Sequence, residues 1–143
     1  MKILIVCSTK FYNKIEEISN YLKDKGFDII YPNGYNDEYT DIDYSNITKE
    51  EHIELFQKFF KMSEDKVKEA DLILALNYDK EKGGVIFKNY VGPSTFLEIY
   101  NAFRLNKKIY LYNDIPDNML HDEIEAFKPI IINGNLSKIL VKK

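Results

Sequence analysis

The stretch KILIVC, residues 2–7, is a short run of apolar and mainly β-branched residues that stops at polar Ser8 and Thr9. Such a run predicts a buried first strand. Four later stretches have the same character and predict four more strands. They are FDIIYP (27–32), DLILALN (71–77), KIYLY (108–112) and PIII (129–132).

Segments with helical periodicity separate these strands. Apolar residues recur at helical spacing from residue 15 onward, and Gly26 follows at the position of a helix C-cap. Thr48 and Glu51 match a capping box, and the apolar stripe behind them continues to Ala70. The sequence therefore predicts a helix in each of the first two intervals between strands.

The rest of the chain continues this alternation. Another helix is expected around Glu98 and a further one over residues 117–127, whereas residues 33–47 and 78–93 are expected to be long polar loops. Strands that alternate with helices imply a parallel sheet covered on both faces. The predicted fold is α/β: a single-domain, three-layer α/β/α sandwich with a five-stranded parallel sheet, Rossmann- or flavodoxin-like, over residues 1–143.

The composition of this 143-residue chain fits a soluble globular domain, with 45% hydrophobic and 30% charged residues. The net charge is −3 and no Lys/Arg cluster reaches five, which argues against nucleic acid as the main partner. A single cysteine, Cys7, excludes an intrachain disulfide and favours the cytoplasm. No apolar stretch approaches the roughly 20 residues of a membrane span, so we expect no membrane association.

Several motifs of other α/β proteins are absent. The glycines form neither a G-x-G-x-x-G fingerprint nor a P-loop. A phosphatase loop at Cys7 would need an arginine six residues later, where the chain has Asn13. The two histidines are far apart in sequence, and residues 41–52 lack the glycine and glutamate of a calcium loop. We therefore expect no metal and no cofactor.

Fold topology indicates where a ligand would bind. In open α/β sheets the site lies beyond the carboxyl ends of the strands, near the topological switch point. That rule selects residues 7–13, 77–84 and 90–98. The third segment belongs to YVGPSTFLEIYNAF (90–103), in which one carboxylate, Glu98, stands inside a mostly apolar run.

The residues alone leave two interpretations of Glu98 open. Thr95 and Glu98 match a capping box, in which case the carboxylate only starts a helix. Alternatively, a carboxylate at a strand-end pocket can act as a nucleophile or base, and the helix N-terminus would keep it ionised. Asp79, on the neighbouring loop, would then supply a second acid.

Three motifs between Ala70 and Pro116 occur in a characteristic order. An aspartate-led apolar strand (ADLILAL, 70–76) precedes a Gly/Ser/Thr turn with a glutamate in the following helix (GPSTFLEI, 92–99), and a lysine-led strand follows (NKKIYL, 106–111). Together they resemble the nucleoside 2-deoxyribosyltransferase-like superfamily, which includes deoxynucleoside 5′-monophosphate N-glycosidases. The resemblance covers about a third of the chain.

The resemblance implies a reaction. Glu98 matches the family's catalytic glutamate, which attacks the anomeric carbon of a 2-deoxyribosyl group while the nucleobase leaves. Water then gives hydrolysis, and a second base gives transfer. The expected function is therefore an N-glycosidase or deoxyribosyltransferase that acts on a nucleoside or its 5′-monophosphate. The alternatives are a non-catalytic nucleotide-binding or sensing module of the same fold and, less favoured, a flavodoxin-like or regulator-like signalling domain.

The resemblance also implies substrate-binding residues. Asn77 and Asp79 fall near a family acid that orients or protonates the substrate. Family sites are often completed by a neighbouring subunit, which here indicates Asn113 or Asn118 and a homodimer or higher homo-oligomer. The loop after the first strand and the turn before Glu98 supply the other candidates. These are Cys7, Ser8, Thr9, Phe11, Tyr12, Gly92, Ser94 and Thr95.

Two positions depart from the family pattern. Six residues before the glutamate, transferases tend to have an aspartate and monophosphate hydrolases a serine, whereas this chain has Gly92. Two residues after it, glycine is common and this chain has Tyr100, whose ring would narrow or reshape the pocket. The resemblance therefore does not fix the substrate.

Aromatic and hydroxyl side chains near the expected site allow two interpretations each. Ser94 and Thr95, with amides of the helix start, would hold a phosphate or merely cap the helix. Cys7 is expected to be a small buried hydrophobe. Four loop tyrosines are expected to be half-buried rather than a lid that stacks on a nucleobase, and three phenylalanines are expected in the core or an oligomer contact. These are Tyr31, Tyr35, Tyr39 and Tyr44, and Phe56, Phe59 and Phe60.

Overall fold

Five parallel strands form the centre of the protein, of which the computed structural model describes residues 1–140. The predicted domain also includes residues 141–143, which lie outside the described residues. The sheet has the order β2-β1-β3-β6-β7. The strands of the chain are β1 (Lys2–Val6), β2 (Asp28–Ile30), β3 (Leu72–Ala75), β4 (Lys80–Lys82), β5 (Val85–Phe87), β6 (Lys108–Leu111) and β7 (Ile130–Ile131).

Helices connect the sheet strands and cover both faces of the sheet. They are α1 (Ile15–Asp24), α2 (Lys49–Glu69), α3 (Pro93–Arg104) and α4 (His121–Ala126), with short 3-10 segments at Thr9–Lys14, Tyr44–Asn46 and Leu136–Leu140. Buried residues of α1 share one core cluster with one face of the sheet. Those of α2, α3 and α4 share a second cluster with the other face. The predicted α/β/α sandwich and its five-stranded parallel sheet are confirmed.

The central strand β1 shows why the apolar runs predicted the sheet. Ile3 and Ile5 belong to one core cluster, whereas Leu4 and Val6 belong to the other, and all four are fully buried. A strand that is covered on both faces needs apolar side chains at every position, so its sequence is continuous rather than alternating. In register, Val6 pairs with Ala75, and Ala75 pairs with Leu111. The carboxyl ends of β1, β3 and β6 therefore lie side by side.

The segment 78–93 differs from its prediction as a loop, because it contains the antiparallel hairpin β4–β5. Gly83 and Gly84 form its turn, both at positive φ, a conformation that glycine adopts without strain. The apolar side chains of β5 are largely exposed, at 44 to 61%. The hairpin therefore lacks the buried face that gives a strand its usual sequence signal.

Within residues 1–140, no helix combines the length and the apolar character that a membrane crossing requires.

Candidate active site

A cleft of about 450 Å³ opens beside the carboxyl end of β1, between α2 and the first turns of α3. Two of the three segments selected from the sequence, 7–13 and 90–98, contribute to its wall, whereas residues 77–84 do not. The position agrees with the switch-point rule, since β1 has β2 on one side and β3 on the other. The lining residues are Cys7, Ser8, Thr9, Tyr12, Pro32, Asn33, Tyr44, Phe56, Phe59, Phe60, Ser63, Tyr90, Gly92, Pro93, Ser94, Thr95, Leu97, Glu98, Tyr100 and Asn101.

Glu98 lies in the second turn of α3, so the capping-box interpretation of Thr95 and Glu98 is wrong. The helix begins at Pro93 after the N-cap Gly92, and no side chain caps it. Proline suits the first helical position because its φ is already helical and its missing N–H would have no partner there. Thr95 therefore lies inside the helix, and Glu98 is not needed to start it.

The residue Glu98 is only 8% exposed, and burial of its carboxyl group raises the pKa of that group from 4.5 to about 7. A hydrogen bond from Ser63 and the positive charge of Lys66 act in the opposite direction, and burial outweighs both. The expectation that the helix N-terminus would keep Glu98 ionised is therefore wrong, because the pKa of the carboxyl group is raised and not lowered. Near neutral pH the group exchanges between its acid and carboxylate forms.

Ser63 and Asn33 are functional candidates that the sequence analysis missed. Ser63 Oγ, on α2, donates a hydrogen bond of 2.9 Å to Glu98 Oε2. Asn33 Nδ2, from the segment after β2, donates to Ser63 Oγ at 2.9 Å. Ser63 did leave a signal, because it is a polar residue within the apolar stripe of α2.

Eight of the predicted site residues line the cleft together. Cys7 is buried, and the loss of hydration together with the charge of Glu98 raises the pKa of its thiol to about 12, so the thiol stays protonated. The hydroxyl of Tyr12 donates to the backbone oxygen of Asn33 at 2.7 Å. The eight are Cys7, Ser8, Thr9, Tyr12, Gly92, Ser94, Thr95 and Glu98.

Asp79 does not line the cleft, so the structure does not bring it to Glu98 as a second acid. It accepts a hydrogen bond from the backbone of Asn89 at 2.9 Å and lies 3.7 Å from the ammonium group of Lys88. Both contacts belong to the hairpin region, and the side chain lines a separate surface depression. Among residues 1–140, Glu98 is the only carboxylate in the cleft wall.

Four other predicted residues also lie outside the cleft wall. Phe11 is a core residue whose ring packs edge-on against Tyr78 at 5.5 Å. The buried Asn77 amide donates to the backbone oxygen of Asn113 at 3.0 Å and accepts from its N–H at 2.7 Å. These bonds tie the ends of β3 and β6 together. Asn118 Oδ1 accepts from the backbone of Leu120 at 2.8 Å within a local turn.

One wall of the cleft is aromatic. Phe56, Phe59 and Phe60 line the cleft, so their predicted position in the core is wrong, whereas the predicted alternative of an oligomer contact stays a prediction. Of the four loop tyrosines only Tyr44 reaches the cleft. The other three are half-buried as predicted, and they pack on one another or on phenylalanine. Tyr31 stacks on Tyr35 at 5.2 Å, and Tyr39 meets Phe59 edge-on at 5.3 Å.

Tyr90 occupies the space next to Gly92. A Cβ atom at position 92 would lie 3.3 Å from the ring of Tyr90, which is tighter than ordinary contact. The aspartate or serine of the family pattern would therefore press on this ring.

Tyr100 is one of the residues that line the cleft, and its side chain is 45% exposed. Its ring centroid lies 6.1 Å from that of Phe127.

An anionic group in the cleft, such as a phosphate, would have to be held by uncharged hydrogen-bond donors. Within the described part of the chain, no lysine or arginine lines the cleft. The hydroxyls of Ser8, Thr9, Ser94 and Thr95 and the amides at the start of α3 are uncharged donors that line one end of it.

Comparisons with known proteins give a match only at the level of solved structures. No protein-family model and no curated protein matches the chain. A CMP N-glycosidase from Clostridium botulinum, BcmB, is 21% identical, with a TM-score of 0.51 over 93% of this chain and 89% of its own. A 2-deoxyribosyltransferase from Bacillus psychrosaccharolyticus is 14% identical, with a TM-score of 0.61 over 100% and 93%. The chain therefore has the fold of these two proteins.

Proposed function

We propose that the protein is an N-glycosidase or deoxyribosyltransferase of the nucleoside 2-deoxyribosyltransferase-like superfamily. It would cleave the N-glycosidic bond of a deoxynucleoside, a nucleoside or its 5′-monophosphate. The observation that carries the proposal is the buried carboxyl of Glu98 in a cleft that has an aromatic wall and a hydroxyl-rich end. The activities of the two proteins with this fold support it.

Glu98 would act as a nucleophile in its ionised form. One carboxylate oxygen attacks C1′ of the sugar, the bond from C1′ to the base nitrogen breaks, and the base leaves with the bonding electron pair. The glycosyl ester that forms is then attacked at C1′ by water or by a second base, which releases the Glu98 carboxylate. Because Glu98 is the only carboxylate in the described cleft wall, the departing base would take its proton from water.

The cleft suggests how a substrate would lie. A nucleobase would stack on the aromatic wall formed by Phe56, Phe59, Phe60 and Tyr44, because every base offers a flat apolar face. The hydroxyls at the start of α3 would then hold the sugar or its phosphate. In a homo-oligomer, Asn113 or Asn118 of a neighbouring subunit would complete the site, as the resemblance implies.

The test is a chromatographic screen for released base. The purified protein is incubated with deoxynucleosides, ribonucleosides and their 5′-monophosphates, with and without an acceptor base. We expect base release by the wild type and a loss on the order of a thousandfold or more in Glu98→Gln. Glu125→Gln is the matched control, since Glu125 is an exposed acid of α4 outside the cleft, and it should match the wild type.

A covalent intermediate gives a second, independent readout. Intact-mass measurement after incubation with a 2-fluoro-2-deoxy analogue should show a glycosyl adduct on the wild type and none on Glu98→Gln. Folded wild-type protein that releases no base from any donor would contradict the proposal. A thermal shift with nucleotide in that case would indicate a non-catalytic binding module.

A further inference from the structure

A line of hydrogen bonds leads from the cleft carboxylate into the body of the protein. Glu98 Oε2 accepts from Ser63 Oγ, which accepts from Asn33 Nδ2, and both distances are 2.9 Å. Asn33 Nδ2 also donates to the backbone oxygen of Phe59 at 3.1 Å. We propose that Ser63 and Asn33 are positioning residues, which hold Oε2 of Glu98 so that Oε1 is the oxygen that attacks C1′. This inference rests on the proposed function.

The direction of each hydrogen bond follows from the groups involved. An ionised carboxylate can only accept, so the Ser63 hydroxyl must donate to Glu98 and has its lone pairs left for Asn33. The carbonyl of Phe59 can also only accept, so the Asn33 amide must present its nitrogen toward α2. Each bond therefore fixes the orientation of the next group.

The two carboxylate oxygens of Glu98 have different surroundings. Oε2 accepts from Ser63, whereas Oε1 makes no hydrogen bond within residues 1–140. A charge-assisted bond to one oxygen restricts rotation about the last side-chain torsion. Since attack requires one oxygen to lie about 3 Å from the reacting carbon, this restriction favours the reactive geometry.

Asn33 is held in this arrangement at a cost. Its Oδ1 is buried and has no hydrogen-bond partner in the described part of the chain. Native proteins satisfy most buried polar atoms, and an exception calls for an explanation. The explanation here is that rotating the amide would turn Nδ2 away from α2. The hydrogen bonds that Ser63 Oγ and the backbone oxygen of Phe59 accept from it would then be lost.

The other titratable groups that face Glu98 do not replace Ser63. Lys66 of α2 lowers the pKa of Glu98 through its charge, but its ammonium group donates to the backbone oxygen of Tyr31 at 2.8 Å. Cys7 after β1 and Tyr12 in the following turn have raised pKa values and stay neutral. Ser63 is therefore the direct donor that stabilises the ionised form of Glu98.

The experiment compares Ser63→Ala with Ser63→Thr, which keeps the hydroxyl. We expect Ser63→Ala to lower kcat about tenfold and to move the acidic limb of the pH–rate profile up by about one pH unit. Ser63→Thr should restore most of both. The matched control is Ser19→Ala, because Ser19 is also a buried helical serine but its hydroxyl meets Tyr31 at 2.7 Å, away from the cleft.

The role of Asn33 is tested by comparing its substitution with and without the hydroxyl group of Ser63. Asn33→Ala should lower kcat by a smaller factor, and it should cause little further loss in the Ser63→Ala background, because its effect passes through the serine hydroxyl. Independent losses that multiply in the double variant would overturn the role of Asn33. An unchanged profile in folded Ser63→Ala would overturn the role of Ser63.

A titration separates this inference from the proposed function. The carboxyl signal of Glu98 in ¹³C-labelled protein, assigned by its loss in Glu98→Gln, reports ionisation without any substrate. We expect its midpoint to rise in Ser63→Ala and not in Ser19→Ala. If the wild type releases no base but this shift occurs, the proposed function fails and the hydrogen-bonded control of Glu98 stands. If the midpoint does not move, the inference fails whatever the activity.

Discussion

The buried carboxyl group of Glu98 loses its proton less readily in the folded protein than in the unfolded chain, because folding removes the water that would solvate the charge. Its pKa is about 7 when folded, against 4.5 for an ordinary glutamate. As pH rises through this interval, the unfolded state loses its proton first and becomes relatively more stable. The resulting penalty on folding is absent below pH 4.5, grows up to pH 7 and is complete above it.

This linkage predicts that Glu98→Gln stabilises the protein at high pH. The amide cannot ionise, so the variant should exceed the wild type in free energy of unfolding at pH 8, by up to about 3 kcal/mol. The gain should shrink toward zero near pH 4.5. Urea unfolding at a series of pH values measures both. Glu125→Gln should show no such trend, and a gain in Glu98→Gln that is equal at every pH would contradict the raised pKa.

Glu98 itself can be found from the sequence, but the residues that control it cannot. A carboxylate inside an apolar helix start is visible locally, and the GPSTFLEI motif adds the family resemblance. Ser63 lies 35 residues before Glu98, and Asn33 lies 30 residues before Ser63. Their contact depends on how α2 and the segment after β2 pack over α3, which no local pattern describes.

At the scale of elements, α2 supplies both the hydrogen-bond donor to Glu98 and the aromatic wall of the cleft. Its inner side carries Ser63, and its neighbouring residues Phe56, Phe59 and Phe60 form the aromatic wall. The helix begins with a complete capping box, as predicted: Thr48 accepts from the backbone of Glu51 at 3.1 Å, and Glu51 accepts from that of Thr48 at 2.8 Å. The cap satisfies two amides that would otherwise have no partner.

We predict that Thr48→Ala lowers the free energy of unfolding by about 1 kcal/mol, the usual value of an N-cap hydroxyl. Thr48→Ser keeps the accepting oxygen and should lose much less. Chemical denaturation of the three proteins, followed by circular dichroism, measures the difference. Equal losses in the alanine and serine variants would show that the methyl group, and not the cap, stabilises this end of α2.

Helices and strands whose ends follow from neighbouring residues in the sequence are predicted more accurately than those whose apolar side chains stay exposed. The Thr48 cap and the buried strands follow from residues that are adjacent in sequence. The start of α3 was misplaced because the Thr95–Glu98 pair also matches a cap, although Gly92-Pro93 is the stronger signal for a first turn. The hairpin was missed because Val85, Ile86 and Phe87 stay exposed, so burial gives no pattern to recognise.

At the scale of the whole molecule, the order of strands places the cleft. The parallel strands β1, β3 and β6 end at one edge, and the chain leaves β1 and β3 toward different neighbours. The sequence could predict that the strands are parallel and that a site lies at their carboxyl ends, because a doubly covered parallel sheet requires continuous apolar strands. It could not predict that Asp79 would turn outward into the hairpin, since that depends on the path of residues 78–93.

Exposed apolar side chains at the cleft and farther along α3 lead to a prediction about assembly. Leu97, Tyr100 and Phe103 of α3 and Phe60 of α2 are 44 to 47% exposed, whereas a monomer rarely leaves such a group of large apolar side chains in water. We predict a homodimer or higher homo-oligomer that buries this surface, and sedimentation analysis should show it at micromolar concentration. Phe103→Ser should shift the species toward monomer and reduce base release, because a neighbouring subunit would no longer complete the cleft. Met119→Ser removes a 91% exposed apolar side chain outside α3 and should change neither property. A wild type that sediments as a monomer while it releases base would show that one chain holds the complete site.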